Sequence, residues 1–174
     1  MELIHNLINI KKDSEKPNGF ISLSLDVSNL KSIYNSIIII SEEWRVKKNN
    51  GIINLKCGDL NSIGCELFIS PFYIKITLDR LSCFPIFYFK KNNIVFITSL
   101  WDQIYSNKNS MEIDYVNFAC MKKFDYIPYN ETILKNIYRL NINNCLEIKY
   151  KINNLILSSK RLISNSNNFL NPTD

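Results

Sequence analysis

The chain has 174 residues, 46% hydrophobic and 21% charged, with a net charge of +5. That is enough apolar material for a buried core, and it excludes a disordered tail or a linker. Four glycines and five prolines exclude collagen-like and flexible-linker chains. No apolar run approaches the ~20 residues of a membrane-spanning helix. The start, Met1 to Asn6, lacks a basic stretch leading into an apolar one, so the chain is expected to be cytoplasmic with no membrane partner.

The basic excess is scattered over Lys11-Lys12, Lys47-Lys48, Lys90-Lys91 and Lys122-Lys123. Lysines at turns and helix ends keep a strand-rich protein soluble, whereas nucleic-acid binders concentrate such charge on one face or helix. The pattern argues against a nucleic-acid partner. Abundant Ile and Asn fit an AT-rich coding sequence and carry no functional signal.

In chain order, Phe20 to Leu25 alternates apolar and polar residues, as a half-buried strand does. Asp26 to Ser28 is expected to open a short helix through Leu30, Ile33 and Tyr34, with Ser28 as N-cap. Ile37 to Ile40 reads as a buried strand, and Gly51 to Lys56 as another. Leu67 to Ile69 and Phe72 to Leu78 are strands separated by Ser70-Pro71. Phe84 to Phe89 and Ile94 to Thr98 flank Lys90-Lys91-Asn92-Asn93, a polar gap suited to a hairpin. Ser99 to Tyr105 predicts a helix with Leu100, Trp101 and Ile104 on its apolar face. Asp114 to Lys123 predicts a second, with Asp114 as N-cap and Tyr115, Phe118, Ala119 and Met121 as the buried stripe. Asn130 is expected to cap a further turn through Ile133 and Ile137. Cys145 to Tyr150 and Leu155 to Ser158 are strands joined at Asn153-Asn154. A single α+β domain over residues 1–163 is expected, followed by a polar, flexible tail over 164–174.

Catalytic signatures are missing. There is no GxxxxGK[ST], GxGxxG or GxSxG motif. His5 is the only histidine, and Glu42-Glu43 are adjacent residues whose side chains diverge, so they read as a solvated turn. The five cysteines, Cys57, Cys65, Cys83, Cys120 and Cys145, are odd in number and form no CxxC pair; buried free thiols are expected, with no metal site and no cofactor. The aromatics Phe84, Phe87, Tyr88 and Phe89 crowd one strand and read as core rather than as a base-stacking platform.

A longer pattern spans residues 72 to 161. Asp79-Arg80-Leu81-Ser82-Cys83-Phe84-Pro85-Ile86-Phe87-Tyr88 ends one strand and opens the next, and Ile94 to Ser99 precedes a helix. Phe124-Asp125-Tyr126-Ile127-Pro128 with Thr132-Ile133 follows, then Tyr138-Arg139-Leu140-Asn141-Ile142-Asn143-Asn144 and a strand. In order and spacing this resembles the second half of the amino-terminal, glutaminase-like domain of the asparagine-synthase family. There a strand ends in Asp-Arg-x-Gly-x-x-Pro-Leu-Tyr-Tyr, a Phe-Ala-Ser-Glu strand leads into a helix, and Gly-Tyr-Val-Pro with Thr-Ile precedes a Leu-Pro-Pro-Gly turn. The resemblance implies an Ntn-hydrolase-like fold, two packed antiparallel β-sheets flanked by helices. It implies structural roles for Asp79, Arg80, Pro85, Tyr88, Ser99, Pro128 and Thr132: Asp79-Arg80 pins a strand end, Pro85 fixes the start of the next strand, Pro128 stops the segment before it, and Asn130 or Thr132 caps the turn after it.

The departures from that family bear on function. The family's nucleophile is a cysteine directly after the initiator Met, with its own α-amine as base. Here Glu2 follows Met1, no Ser, Thr or Cys stands in the first twelve residues, and the substrate-holding His-Arg-Gly-Pro-Asp, Arg-Leu-Ser-Ile and Gly-Glu-Ile-Tyr-Asn motifs are missing. Ser82 replaces the family's Gly, Leu100 its Glu, and Asn143-Asn144 its Pro-Gly. No catalytic set is expected. The chain is similar to the degenerate amino-terminal domain of β-lactam synthetases and lasso-peptide cyclases, standing without an ATP-dependent synthetase domain. That implies a pseudoenzyme that partners or scaffolds a separately encoded synthetase or a peptide precursor, in peptide modification. It predicts an exposed apolar patch and no charged pocket. One alternative is half of a split asparagine-synthase-like ligase, active only with its other half. Another is a basic nucleic-acid-binding module, whose affinity falls steeply with salt.

Overall fold

The computed structural model describes residues 8–26, 36–61, 63–79, 84–92, 94–107, 111–128, 130–141, 144–151 and 154–161. Two six-stranded sheets dominate it. In spatial order the first contains β1 (Ile8–Lys12), β3 (Ser36–Ile40), β2 (Ile21–Asp26), β9 (Ile94–Thr98), β8 (Phe87–Lys91) and β10 (Tyr138–Arg139). The second contains β12 (Asn154–Arg161), β11 (Asn144–Lys151), β7 (Tyr73–Leu78), β6 (Gly64–Ser70), β5 (Ile52–Gly58) and β4 (Arg45–Asn49). All neighbours are antiparallel except β1 and β3, which run parallel.

Period-two patterning decides which faces meet. Ile21, Leu23 and Leu25 of β2 are buried and alternate with half-buried Ser22, Ser24 and Asp26. In β7, Ile74, Ile76 and Leu78 turn in, while Tyr73, Lys75 and Thr77 turn out. The inward residues of both sheets, with Trp44, form one continuous core. Burial of that apolar area is what holds the two sheets face to face.

Short turns set the registers. Pro71-Phe72 is a two-residue loop closing the Ser70↔Tyr73 pair. Asn50-Gly51 joins β4 to β5 with φ of +45° and +78°, the left-handed pair that matches strand twist. The β8–β9 hairpin is tighter than the sequence predicts. Lys90 and Lys91 extend β8, so the loop shrinks to Asn92 and its neighbour, with Asn92 at φ +51°. Strand β8 also starts later than expected, leaving Phe84, Pro85 and Ile86 in the approach to it.

The helices gather on one side. α1 (Trp101–Asn107) places Ile104 and Trp101 against Phe87, Phe89 and Phe96, on the face of β8–β9 opposite to Tyr88, Val95 and Ile97. α2 (Tyr115–Phe124) is tied to residues 131–132 beside this second cluster. The sheets are thus flanked by helices on the first sheet, and no helix among the described residues is long and apolar enough to cross a membrane.

Four expectations are corrected here. Ile37 to Ile40 is not buried throughout: Ile38 and Ile40 turn into the core, while Ile37 is exposed and Ile39 half-buried, because the strand has only one packed face. The turn at Asn130 does not become helical; isolated bridges pair Ile113 with Leu134 and Glu131 with Tyr138, which holds it extended. The stripe expected on α2 has the wrong phase, as described below. Asp26, expected to open a helix, ends β2 instead, paired with Ile94. The rest of that helix (27–34), His5, Cys83 and the tail lie outside the described residues.

The α2 cap follows the sequence. Asp114 accepts hydrogen bonds from Val116 N and Asn117 N, both 3.0 Å, and Asp125 closes the helix at φ +53°, donating its N–H to Met121 O. Asp114→Ala is expected to cost about 1 kcal/mol. For a chain this size that lowers the melting temperature by roughly 2–4 °C in a thermal scan.

Candidate functional site

The residues singled out by the family resemblance form structural latches rather than one active centre. Asp79, fully buried at the end of β7, accepts from Gly64 N and Phe84 N, each at 3.3 Å, while its own N–H donates to Gly64 O. It pins the β6–β7 end to the segment leading into β8. Arg80 lies outside the described residues. Buried Ser99 accepts from Ile21 N at 3.0 Å and donates to Gly19 O at 3.3 Å, fastening β9 to the start of β2. These two latches converge on Phe84, which lies against the Cα of Gly19 and packs edge-on to Trp44. A Cβ at Gly19 would stand 3.0 Å from the Phe84 ring, on a backbone at φ +78°.

The others serve elsewhere. Tyr88 is buried and stacks on Tyr138 at 5.4 Å between centroids, joining β8 to β10. Pro85 and Pro128 are half-buried in irregular segments. Thr132 Oγ1 accepts from Leu134 N at 3.1 Å and reaches Ile137 O at 2.9 Å, a local cap without a helix after it.

Two of the described thiols, Cys57 and Cys65, sit opposite each other on the neighbouring strands β5 and β6, a pairing that their sequence spacing does not suggest. Both are buried, and burial pushes both thiols up from their ordinary value, Cys65 strongly. A buried thiol shifted upward stays protonated at neutral pH and is inert. No cluster of three metal-binding side chains occurs among the described residues.

Two surfaces remain. The first is the outward face of α2. At about 100° per residue, Tyr115, Val116, Ala119 and Lys123 share one side of the helix, Asn117, Phe118 and Met121 lie on the other, and Phe124, at the last position, stands opposite Tyr115. Tyr115 is 76% exposed, Val116 73% and Phe124 64%, and Tyr126 just beyond the helix is 62% exposed. The buried side chain is Asn117, whose Nδ2 donates to Glu131 Oε2 at 2.8 Å and to Thr132 O at 3.1 Å. The helix is therefore anchored by a polar residue and shows apolar ones to solvent. Tyr115 and Ala119, expected inside, are outside, and only Phe118 and Met121 of the predicted stripe are half-buried.

The second is the outer face of β4–β7, a concavity of about 720 Å³. Registers align Lys47, Asn54, Phe68 and Lys75 in one row across four strands, and Arg45, Lys56, Glu66 and Thr77 in the next. Lys56 pairs with Glu66 at 2.8 Å. Tyr73 lies beside Phe68, with ring centroids 6.1 Å apart, and donates to Glu147 Oε1 at 2.9 Å. Burial, then that bond, pushes its phenol up to about 12, so it remains a donor at neutral pH.

No family model and no curated protein sequence matches this chain. The chemistry must be read from its surfaces. The scaffold reading expects no charged pocket, and the concavity on β4–β7 departs from it.

Proposed function

We propose that this chain is a non-catalytic, glutaminase-like domain of the asparagine-synthase type that docks on a separately encoded, ATP-dependent amide-forming synthetase acting in peptide modification in the cytoplasm. The observation that carries the reading is α2, where Tyr115, Val116 and Phe124 are exposed while the buried position is an asparagine. A helix that leaves three large apolar or aromatic side chains exposed is suited to binding a partner, because covering that area is favourable. Two face-packed sheets with helices beside the first are compatible with an Ntn-type arrangement. Asp79, Ser99 and Thr132 serve as backbone latches, as a fold would retain them after its chemistry has gone.

The test is affinity purification from the native host, comparing the natural chain with a Val116→Asp, Phe124→Ser variant. The natural chain is expected to recover a lone synthetase, and the variant to recover at least ~10-fold less. Both sites are exposed, so the variant's stability should stay within about 0.5 kcal/mol of the natural chain. Recovery of no synthetase by a folded, abundant bait would reject the reading, as would equal recovery by both chains.

A further inference from the structure

We propose that the concave outer face of β4–β7 binds single-stranded nucleic acid, a role separate from the α2 face. Arg45, Lys47 and Lys75 point onto this face and join no ion pair among the described residues, whereas Lys56 is neutralised by Glu66. Glu147, opposite Lys75 on β11, pairs with Lys149, so the face holds a net excess of three cations. They flank an aromatic floor: in the row Lys47–Asn54–Phe68–Lys75, the ring sits between two ammonium groups with a carboxamide beside it.

The spacing favours a strand over a single nucleotide. Lys47 and Lys75 are three strand intervals apart, about 14 Å, and Arg45 stands two residues from Lys47, about 7 Å. A mononucleotide carries phosphate on one side of its base; a strand carries it on both. An acidic peptide would satisfy the lysines through its carboxylates, but it brings Phe68 a flat ring only where it happens to carry an aromatic residue, whereas every nucleotide brings one. Base on aromatic, phosphate on lysine and amide on base edge is how open sheet faces take single strands. Phe68 is set for this by Tyr73, itself held by Glu147 and by Lys149 Nζ at 5.4 Å from its ring. The charge lies dispersed in the sequence because neighbours on the face come from four strands.

The test is fluorescence anisotropy of a labelled oligouridylate of ~12 nucleotides with the full chain, in rising salt. Three phosphates neutralised on a single strand predict a roughly 20-fold loss of affinity between 50 and 200 mM salt. Lys75→Ala should lower the slope of log K against log salt by about 0.7. Phe68→Leu, which keeps an apolar side chain in place for folding, should weaken binding about tenfold with the slope unchanged. Absent binding at low salt would overturn the proposal. So would oligoglutamate of equal charge binding as tightly, equal displacement by a mononucleotide, or full affinity in Phe68→Leu. None of these outcomes depends on the α2 face, so failure here leaves the synthetase reading standing.

Discussion

Asp79→Ala is expected to lower the melting temperature by roughly 6–12 °C, from a loss of about 3 kcal/mol. One carboxylate oxygen receives the N–H groups of both Gly64 and Phe84 inside the protein, where water cannot replace it. Removing the acceptor leaves two buried donors unpaired, and each costs about 1–3 kcal/mol. The loss should extend beyond the site, because this latch sets the path from β7 toward β8. Phe84 would lose its tether and, with it, the edge contact to Trp44 at 5.9 Å. Asp79→Asn retains an oxygen that can face the same donors, so it should recover about half of the loss. Calorimetry of both variants decides the matter. A melting point for Asp79→Ala within 1–2 °C of the natural chain would show that the latch does not hold the fold.

Much of the architecture was legible because strands carry a local signal. The alternation at Phe20–Leu25 and at Phe72–Leu78 needs only neighbours two residues apart, and β2 and β7 appear within a residue of those bounds. Strand β4 was missed, since Arg45 to Asn49 is nearly all polar and lies at a sheet edge with little burial. One signal could have found it: Asn50-Gly51 is a strong two-residue hairpin turn, and it stands just before a legible strand.

What stayed hidden depends on what packs where. The composition of α2 predicts an apolar stripe, but its orientation is set by Asn117 meeting Glu131 and the Thr132 carbonyl, partners over a dozen residues away. Likewise, alternation places Phe68 and Lys75 on some face of their strands. Only the registers fixed by three hairpins bring them into a row with Lys47 and Asn54. Candidate surfaces made of residues from several elements are not written in any one segment.

Trp44→Ala is expected to cost about 3–5 kcal/mol, a fall of roughly 6–20 °C in melting temperature. Trp44 is 1% exposed and is the largest fully buried side chain in the core between the sheets, so its loss leaves a cavity that rigid strands cannot collapse to fill. The indole adds a second, opposing effect. Its Nε1 is buried and has no hydrogen-bond partner among the described residues, a state that costs about 1–3 kcal/mol. Trp44→Phe removes that donor while keeping an aromatic ring against Phe84, so relief of the unpaired N–H offsets the lost volume. It should lie within about 1 kcal/mol of the natural chain. The pair of variants separates the two effects in one set of thermal melts. If Trp44→Phe melts as low as Trp44→Ala, the indole N–H is satisfied in solution and packing volume alone accounts for the residue.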